Sequence, residues 1–358
     1  MKIAILSFYS GINKRGVERW VFELASGFSR SYDVDVFQNK PLDVDIKYNI
    51  NALNIKYEIN RKEHLIPLQK RAFLDYKSRL IAKFILKLLP ILWRGNYDII
   101  IPTDGGWESA IVRIISWLKR KRMIIVGHAG IGWDDINNLW CFPDRFVALS
   151  SYAKSWAKKI NPFVKIEYIP DGVSLDKFTP NGQKIKINLQ KPVILTVGAL
   201  TKAKRIDLII KAVSKFGKGS LLVVGEGEEK KNLETLGKSL LGNQFLIKKF
   251  EFDDMPNVYR SCDLFVSASL PYFSFEMVLL EALATNLPVI ANNDPIRHEI
   301  VNDGGLFVDP TDIDEISKSI EEALSVDWDN KPRTQAEYFS WDKVLTRYKT
   351  LFEDISKK

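Results

Sequence analysis

At 358 residues the chain is long enough for two domains of ordinary size. With 46% hydrophobic and 27% charged residues it has the balance of a globular protein, not a disordered or fibrous one. No apolar run approaches a membrane span. The net charge of +8 is uneven: residues 1–180 hold 28 Lys+Arg against 18 Asp+Glu, or +10, and residues 181–358 hold 24 against 26, or −2. A basic half suits an anionic partner surface, and no nucleic-acid motif accompanies it. Cys141 and Cys262 stand apart, and His64, His128 and His298 make no zinc spacing, so buried thiols in a reducing compartment and no metal are expected.

The opening MKIAILSFYSG has no long apolar core and no small-residue cleavage site, so it reads as a strand of a cytoplasmic protein. Lys2–Phe8 is a short apolar run typical of a buried parallel strand, and Val17–Ser29 has the pattern of a helix. The loop from Gly11 to Gly16 between them places backbone amides and a helix terminus where an anion can bind; a plain turn has the same residues. Further strands are expected at Asp33–Phe37, Asp98–Ile101, Met123–Gly127, Arg145–Leu149 and Lys165–Ile169, mostly separated by helices. That alternation predicts a doubly wound parallel sheet, which binds ligands beyond the carboxyl ends of its strands. Asp104 and His128 both stand at such ends. His128 can meet a substrate hydroxyl or pass a proton near neutral pH, or simply cap the next segment. Trp133 and Asp134 open an aromatic and acidic stretch that suits a sugar, although its tryptophans suit a core equally. The basic, apolar stretch Arg61–Arg94 and the cluster Trp117–Arg122 fit either an anionic membrane or a solvated helix edge.

Residues 181–190 are polar and read as a linker. The second half repeats the alternation, with strands expected at Pro192–Val197, Leu221–Gly225, Phe245–Phe252, Asp263–Ala268, Pro288–Ala291 and Gly304–Pro310. Lys202, Lys204 and Arg205 lie between a buried strand and a helix start, a setting that favours a diphosphate or, more simply, an exposed loop. A helix over about Ser274–Ala284 is apolar nearly all round, and Glu281 sits inside that pattern. Its carboxylate needs a partner: a Lys, a backbone amide or sugar hydroxyls. A last amphipathic helix opens at Phe339–Asp342 and runs through Phe352.

The segment FSFEMVLLEALATNLPVIANNDPIRHEIV resembles the donor-sugar region of the retaining, family 4 glycosyltransferases with the GT-B fold. Gly16-Val17-Glu18-Arg19, the passage Tyr168–Pro180 and Lys204 fall where that family has matching motifs. The resemblance implies two Rossmann-like, doubly wound α/β domains facing a central cleft: residues 1–180 on the acceptor side, 181–335 for the nucleotide sugar, and 336–358 a helix crossing back. It implies transfer of a hexosyl group, with retention, from a UDP- or GDP-linked sugar to a saccharide or lipid-linked acceptor in cell-envelope glycan synthesis. It implies no resident cofactor, no metal, no nucleic-acid partner, and a cytoplasmic location with peripheral contact to an anionic membrane. The site residues it suggests are His128 and Glu276 for catalysis; Gly16, Lys202, Lys204, Arg205, Phe252, Phe273, Ser274, Phe275, Met277 and Glu281 for the donor; and Asp104, Trp133 and Asp134 for the acceptor. Arg15, Ala199 and Phe273 depart from the family pattern, and Phe273 stands where its first acid belongs. Those departures raise a second reading, a non-catalytic GT-B protein that binds a sugar nucleotide or a membrane. A third, a GT-B sugar-nucleotide epimerase, is disfavoured by the wording around Glu281.

Overall fold

The computed structural model describes residues 1–12, 16–41, 46–58, 69, 72–272 and 275–357. Its contacts divide the chain into two units, Met1–Pro170 with Val344–Lys358, and Asp171–Lys343.

Unit 1 is a seven-stranded parallel sheet in the order β3-β2-β1-β4-β5-β6-β7. Its elements are β1 (Lys2–Leu6), α1 (Gly16–Phe28), β2 (Asp33–Gln38), β3 (Asn49–Ala52), α2 (Tyr76–Arg94), β4 (Ile99–Pro102), α3 (Trp107–Leu118), β5 (Arg122–Val126), α4 (Trp133–Trp140), β6 (Arg145–Ala148), α5 (Ser151–Ile160) and β7 (Ile166–Tyr168). The central strands are continuous apolar runs because helices cover both faces. Asp75 caps α2 and Ser150 caps α5, each accepting from an amide of the first turn. The order reverses direction between β1 and β4, so their carboxyl ends form the natural ligand crevice of this sheet.

Unit 2 has six parallel strands in the order β10-β9-β8-β11-β12-β13. It runs β8 (Val193–Val197), α6 (Ile206–Phe216), β9 (Ser220–Val224), α7 (Lys230–Leu241), β10 (Phe245–Lys248), α8 (Met255–Arg260), β11 (Leu264–Val266), α9 (Met277–Ala284), β12 (Val289–Asn292), α10 (Pro295–Val301), β13 (Gly305–Val308), α11 (Ile313–Ser325) and α12 (Lys331–Glu337). Its crevice lies between β8 and β11. The last helix, α13 (Trp341–Ser356), starts against unit 2, where the Trp341 amide bonds Val173 O at 3.2 Å. From Val344 onward it belongs to unit 1, with Phe352 5.0 Å from Phe28 and Tyr348 5.9 Å from Trp20, ring centre to ring centre. Among the described residues, no helix is long and apolar enough to cross a membrane.

Several boundaries differ from those expected. The units divide after Pro170, not after Pro180, because the intervening segment packs on unit 2. Val173 bridges to Ser340, and the buried Phe178 stands 6.0 Å from Tyr259. The strand expected to reach Phe252 ends at Lys248, and Phe252 opens a single 3-10 turn. The polar strand β3 was not expected at all; it pairs with β2 along the sheet edge. The helix expected from Ser274 begins at Met277, and the stretches 61–68, 70 and 71 lie outside the described residues.

Arg333 fastens the 171–180 segment. Its guanidinium donates to Phe178 O at 2.5 Å, Leu175 O at 3.1 Å and Ala284 O at 2.6 Å. Arg333→Ala strands three carbonyls, and the unit 2 transition in urea is expected to lose about 3 kcal/mol. A loss below about 1 kcal/mol would mean those carbonyls have other donors.

Candidate functional site

The crevice of unit 2 is built around one buried carboxylate. Glu276 precedes α9 and takes a left-handed backbone, φ 56°. That conformation costs a non-glycine residue about 1–2 kcal/mol, and here it turns the side chain inward. Its Oε1 is ion-paired with Lys204 Nζ and accepts from Ser269 Oγ. Its Oε2 stands 3.0 Å from Arg297 Nη2 and accepts from Ser267 Oγ at 3.2 Å. The side chains of Glu276 and Arg297 are 1% and 0% exposed, whereas Lys204 keeps 17%. Arg297 is seconded by Asp294, 3.7 Å away, which also caps α10 by accepting from the amides of Ile296 and Arg297. Burial pushes the Glu276 acid up, but Lys204 and Arg297 outweigh it and hold the carboxyl at about 2. The cluster joins the loops beyond β8, β11 and β12, three neighbouring strands at the point where the sheet order reverses.

The loop carrying Lys204 is itself clamped. Gly225 adopts φ 154° and passes so close that a Cβ there would fall 1.9 Å from Gly198 O. Leu200 N donates to Glu226 O at 2.8 Å, and Glu229 N to Leu200 O at 3.0 Å. Lys202 and Lys204 bound a short 3-10 turn, and Arg205 follows in a left-handed conformation. Arg205 Nη1 is sealed from water with no acceptor among the described residues. Ala199 stands where the family resemblance places an arginine.

Glu281, on α9, is buried and accepts from Tyr259 Oη at 2.8 Å. A phenol is thus one partner of this carboxylate. Burial and the Glu281 charge together keep the Tyr259 hydroxyl protonated. Phe275 is buried, with its ring centre 6.0 Å from that of Phe339. Met277 opens α9 and is half-buried. Phe252 packs 5.9 Å from Phe178 with Lys177 Nζ 4.2 Å from its ring centre. Phe273 and Ser274 lie outside the described residues.

In unit 1, Asp104 and His128 stand beyond β4 and β5, with Gly16 at the first turn of α1. Asp104 accepts from Phe8 N at 2.6 Å, while its own amide donates to Glu108 Oε2 at 2.9 Å. Burial lifts Asp104 to about 7 and Glu108 well above the carboxylate range, so the two do not both ionise readily near neutrality. His128 lies edge-on to Trp20, ring centres 4.8 Å apart. Burial pulls its imidazole down to about 3, and Nε2 has no protein partner among the described residues. The ring is neutral at physiological pH. A neutral ring can donate or accept one hydrogen bond. Trp133 and Asp134 are exposed on α4; the inward acid is Asp135, bonded to Asn138 at 3.1 Å.

The residues missed from the sequence are Arg297, Asp294, Ser267, Ser269 and Tyr259. One signal was present: Asp294-Pro295 after an apolar strand is a helix-start signature, and it sets Arg297 in the first turn. Among the described residues, no group of three or more His, Cys, Asp or Glu is arranged to hold a metal ion.

Residues 178–339 match the sequence family described as glycosyl transferases group 1. Over that segment the chain is similar to the group 1 glycosyltransferases. An O-antigen biosynthesis glycosyltransferase, WclY, from Escherichia coli is 25% identical over 100% of this chain and 99% of its own length. A GDP-mannose-dependent alpha-(1-6)-phosphatidylinositol monomannoside mannosyltransferase from Mycolicibacterium smegmatis is 26% identical over 87% of this chain and 86% of its own. Among solved structures, Anabaena HepE in complex with UDP-glucose superposes with a TM-score of 0.73 at 16% identity, covering 99% of this chain and 100% of that one. The fold is GT-B, two Rossmann-like parallel-sheet domains.

Two acids give opposite pH signatures. Glu276, ordinarily near 4.5 and held at about 2, stabilises unit 2 fully above the ordinary value, and that contribution is lost as pH falls from about 4.5 toward 2. Glu276→Gln is expected to melt well below wild type at about pH 6, with the gap closing toward about pH 2.5. Asp104, held protonated to about 7, costs stability as pH rises from its ordinary 3.8 through that value. Asp104→Asn is therefore expected to melt above wild type at about pH 8 and level with it at about pH 4. Parallel melting curves for each pair across pH would remove these assignments.

Proposed function

We propose that this chain is a retaining glycosyltransferase that moves a hexosyl group from a UDP- or GDP-linked sugar to a saccharide or lipid-linked acceptor in cell-envelope glycan synthesis, without a resident cofactor. The observation that carries this reading is the buried Lys204–Glu276–Arg297 cluster at the reversal of the unit 2 sheet. Loss of a nucleoside diphosphate builds negative charge on its terminal phosphate, and fixed cations and amides placed there lower the barrier. Lys204 keeps part of its ammonium exposed, and Arg205 Nη1 lacks an acceptor among the described residues. Both suit a diphosphate. Glu276 engages Lys204 and Arg297 through its two oxygens. It then acts as the group that orients Lys204, not as an acid in contact with the sugar. Glu281 would hold ribose hydroxyls beside the Tyr259 phenol.

The step is a front-face displacement. The anomeric C–O bond to phosphate breaks as the acceptor oxygen bonds the same face, and the acceptor's proton passes to the departing phosphate oxygen. The neutral His128 would accept or donate one hydrogen bond to a sugar hydroxyl. The names of the relatives support an envelope glycan as product. One relative is named for GDP-mannose and the solved HepE structure holds UDP-glucose, which keeps the donor at UDP- or GDP-linked.

One observation favours the non-catalytic reading: the Lys204 charge is already matched by Glu276, while Ala199 and Phe273 replace expected contacts. Transfer from a panel of UDP- and GDP-sugars to lipid-linked and free saccharides separates the two. Lys204→Ala and Glu281→Gln are each expected to lower turnover by about 100-fold or more while keeping the fold. Near-normal turnover in both variants would refute the site. Donor binding by wild type with no transfer to any acceptor would favour the non-catalytic protein.

A further inference from the structure

Unit 2 has a polar cavity away from the Glu276 crevice. Helix α10 ends at Val301, and Asn302 and Asp303 turn the chain into the amino end of β13. Asn330 leads into α12, and Tyr338 follows that helix. Residues of the turn and of the 330–338 segment line a cavity of about 330 Å3, at the low end of the range for small-molecule sites.

One polar atom in the lining is fixed. Gln335 is 8% exposed, and its Nε2 donates to Glu299 O and Ile300 O, each at 3.1 Å. Both N–H groups are thereby used, and the carboxamide cannot turn over, because Oε1 has no proton to offer those carbonyls. Oε1 itself receives no hydrogen bond from the described residues. An acceptor on a nearly buried side chain is unfavourable unless solvent or a ligand supplies a donor. The groups around it are equally unengaged. Asn330 stands at the start of α12, yet its side chain caps no amide. The side chains of Asn302, Asp303, Lys331 and Thr334 make no hydrogen bond or ion pair with described residues. Tyr338 is 62% exposed, with Lys343 Nζ 5.2 Å from its ring centre.

Two carboxamides, a hydroxyl and a fixed acceptor thus surround the cavity beside an exposed aromatic ring. That set matches a sugar, whose hydroxyls each donate and accept and whose C–H face stacks on a ring. A phosphate would meet a single lysine with Asp303 also in the lining. A metal ion would meet a single carboxylate, and no metal-binding group of acids, His or Cys occurs among the described residues. A peptide would be read by backbone groups along a strand edge, and the free groups here are side chains.

We propose that this cavity is a saccharide-binding site that takes neutral sugar residues of a glycan chain, separate from the site of transfer. The Glu276 cluster lies beyond the carboxyl ends of β8, β11 and β12, whereas Asn302 and Asp303 precede β13. The proposal is independent of the transfer reading, because binding is measured without a nucleotide sugar.

The test is saturation-transfer NMR and calorimetric titration of the full chain with maltotriose, mannotriose and chitotriose, with glucuronic acid and inorganic phosphate as charged controls. Binding of at least one neutral oligosaccharide is expected, and of neither control. Tyr338→Ala removes the aromatic platform and Thr334→Arg fills the cavity. Both change exposed side chains, so their melting curves should match wild type. Each should weaken oligosaccharide binding by about tenfold or more, while Lys204→Ala binds as wild type does. A wild type that takes up none of the oligosaccharides overturns the proposal, as does unchanged binding in either cavity variant. Binding lost in Lys204→Ala and kept in both cavity variants would put the sugar in the Glu276 crevice and overturn it too. Phosphate binding that disappears in Lys331→Ala would make the cavity an anion site and contradict it equally.

Discussion

The arrangement of unit 2 rests on where one buried carboxylate finds its counter-charges. Glu276 is almost fully buried, and an unpaired carboxylate there would be strongly unfavourable. Lys204 and Arg297 resolve that, and in doing so they fix three loops beyond three adjacent strands. The left-handed backbone at Glu276 is tolerated because it delivers the carboxylate to both cations. The same pairing sets the chemistry available. A lysine held at one side by a buried acid is oriented before any ligand arrives, which is what stabilising a departing phosphate requires.

The two units handle buried acids in opposite ways. Glu276 has cations within reach and stays ionised. Asp104 and Glu108 have amides and each other, and burial raises both, Asp104 to about 7, so the two do not both ionise readily. The residue types are nearly the same, and the neighbours decide the charge. The contrast also gives the crevices different character. That of unit 2 offers fixed charge for an anion, while that of unit 1 offers neutral hydrogen-bonding groups, including the His128 ring, suited to hydroxyls.

Much of the fold was legible because strands buried on both faces are unbroken apolar runs, such as Ile3–Leu6 and Leu221–Val224. The strand Asn49–Ala52 was not, because a polar edge strand is recruited by its pairing with β2 and carries no apolar signal of its own. Lys204 and Glu281 were reached through motif resemblance. The role of Glu276 was not, since a left-handed glutamate follows no local rule and its lysine lies 72 residues away in the chain. The packing of Phe275 was not legible for a related reason: a core aromatic and a ligand-facing one look alike until Phe339 is seen against it.

The most direct measurement is the thermal shift of wild type and Lys204→Ala against UDP, GDP, UDP-glucose, UDP-N-acetylglucosamine and GDP-mannose. A ligand that binds only the folded chain raises its melting temperature by mass action. The expected result is a clear rise with nucleotides of one base, abolished in Lys204→Ala. A wild type that shifts with none of them, or a variant that shifts as much as wild type, would contradict a diphosphate site built on Lys204 and Glu276.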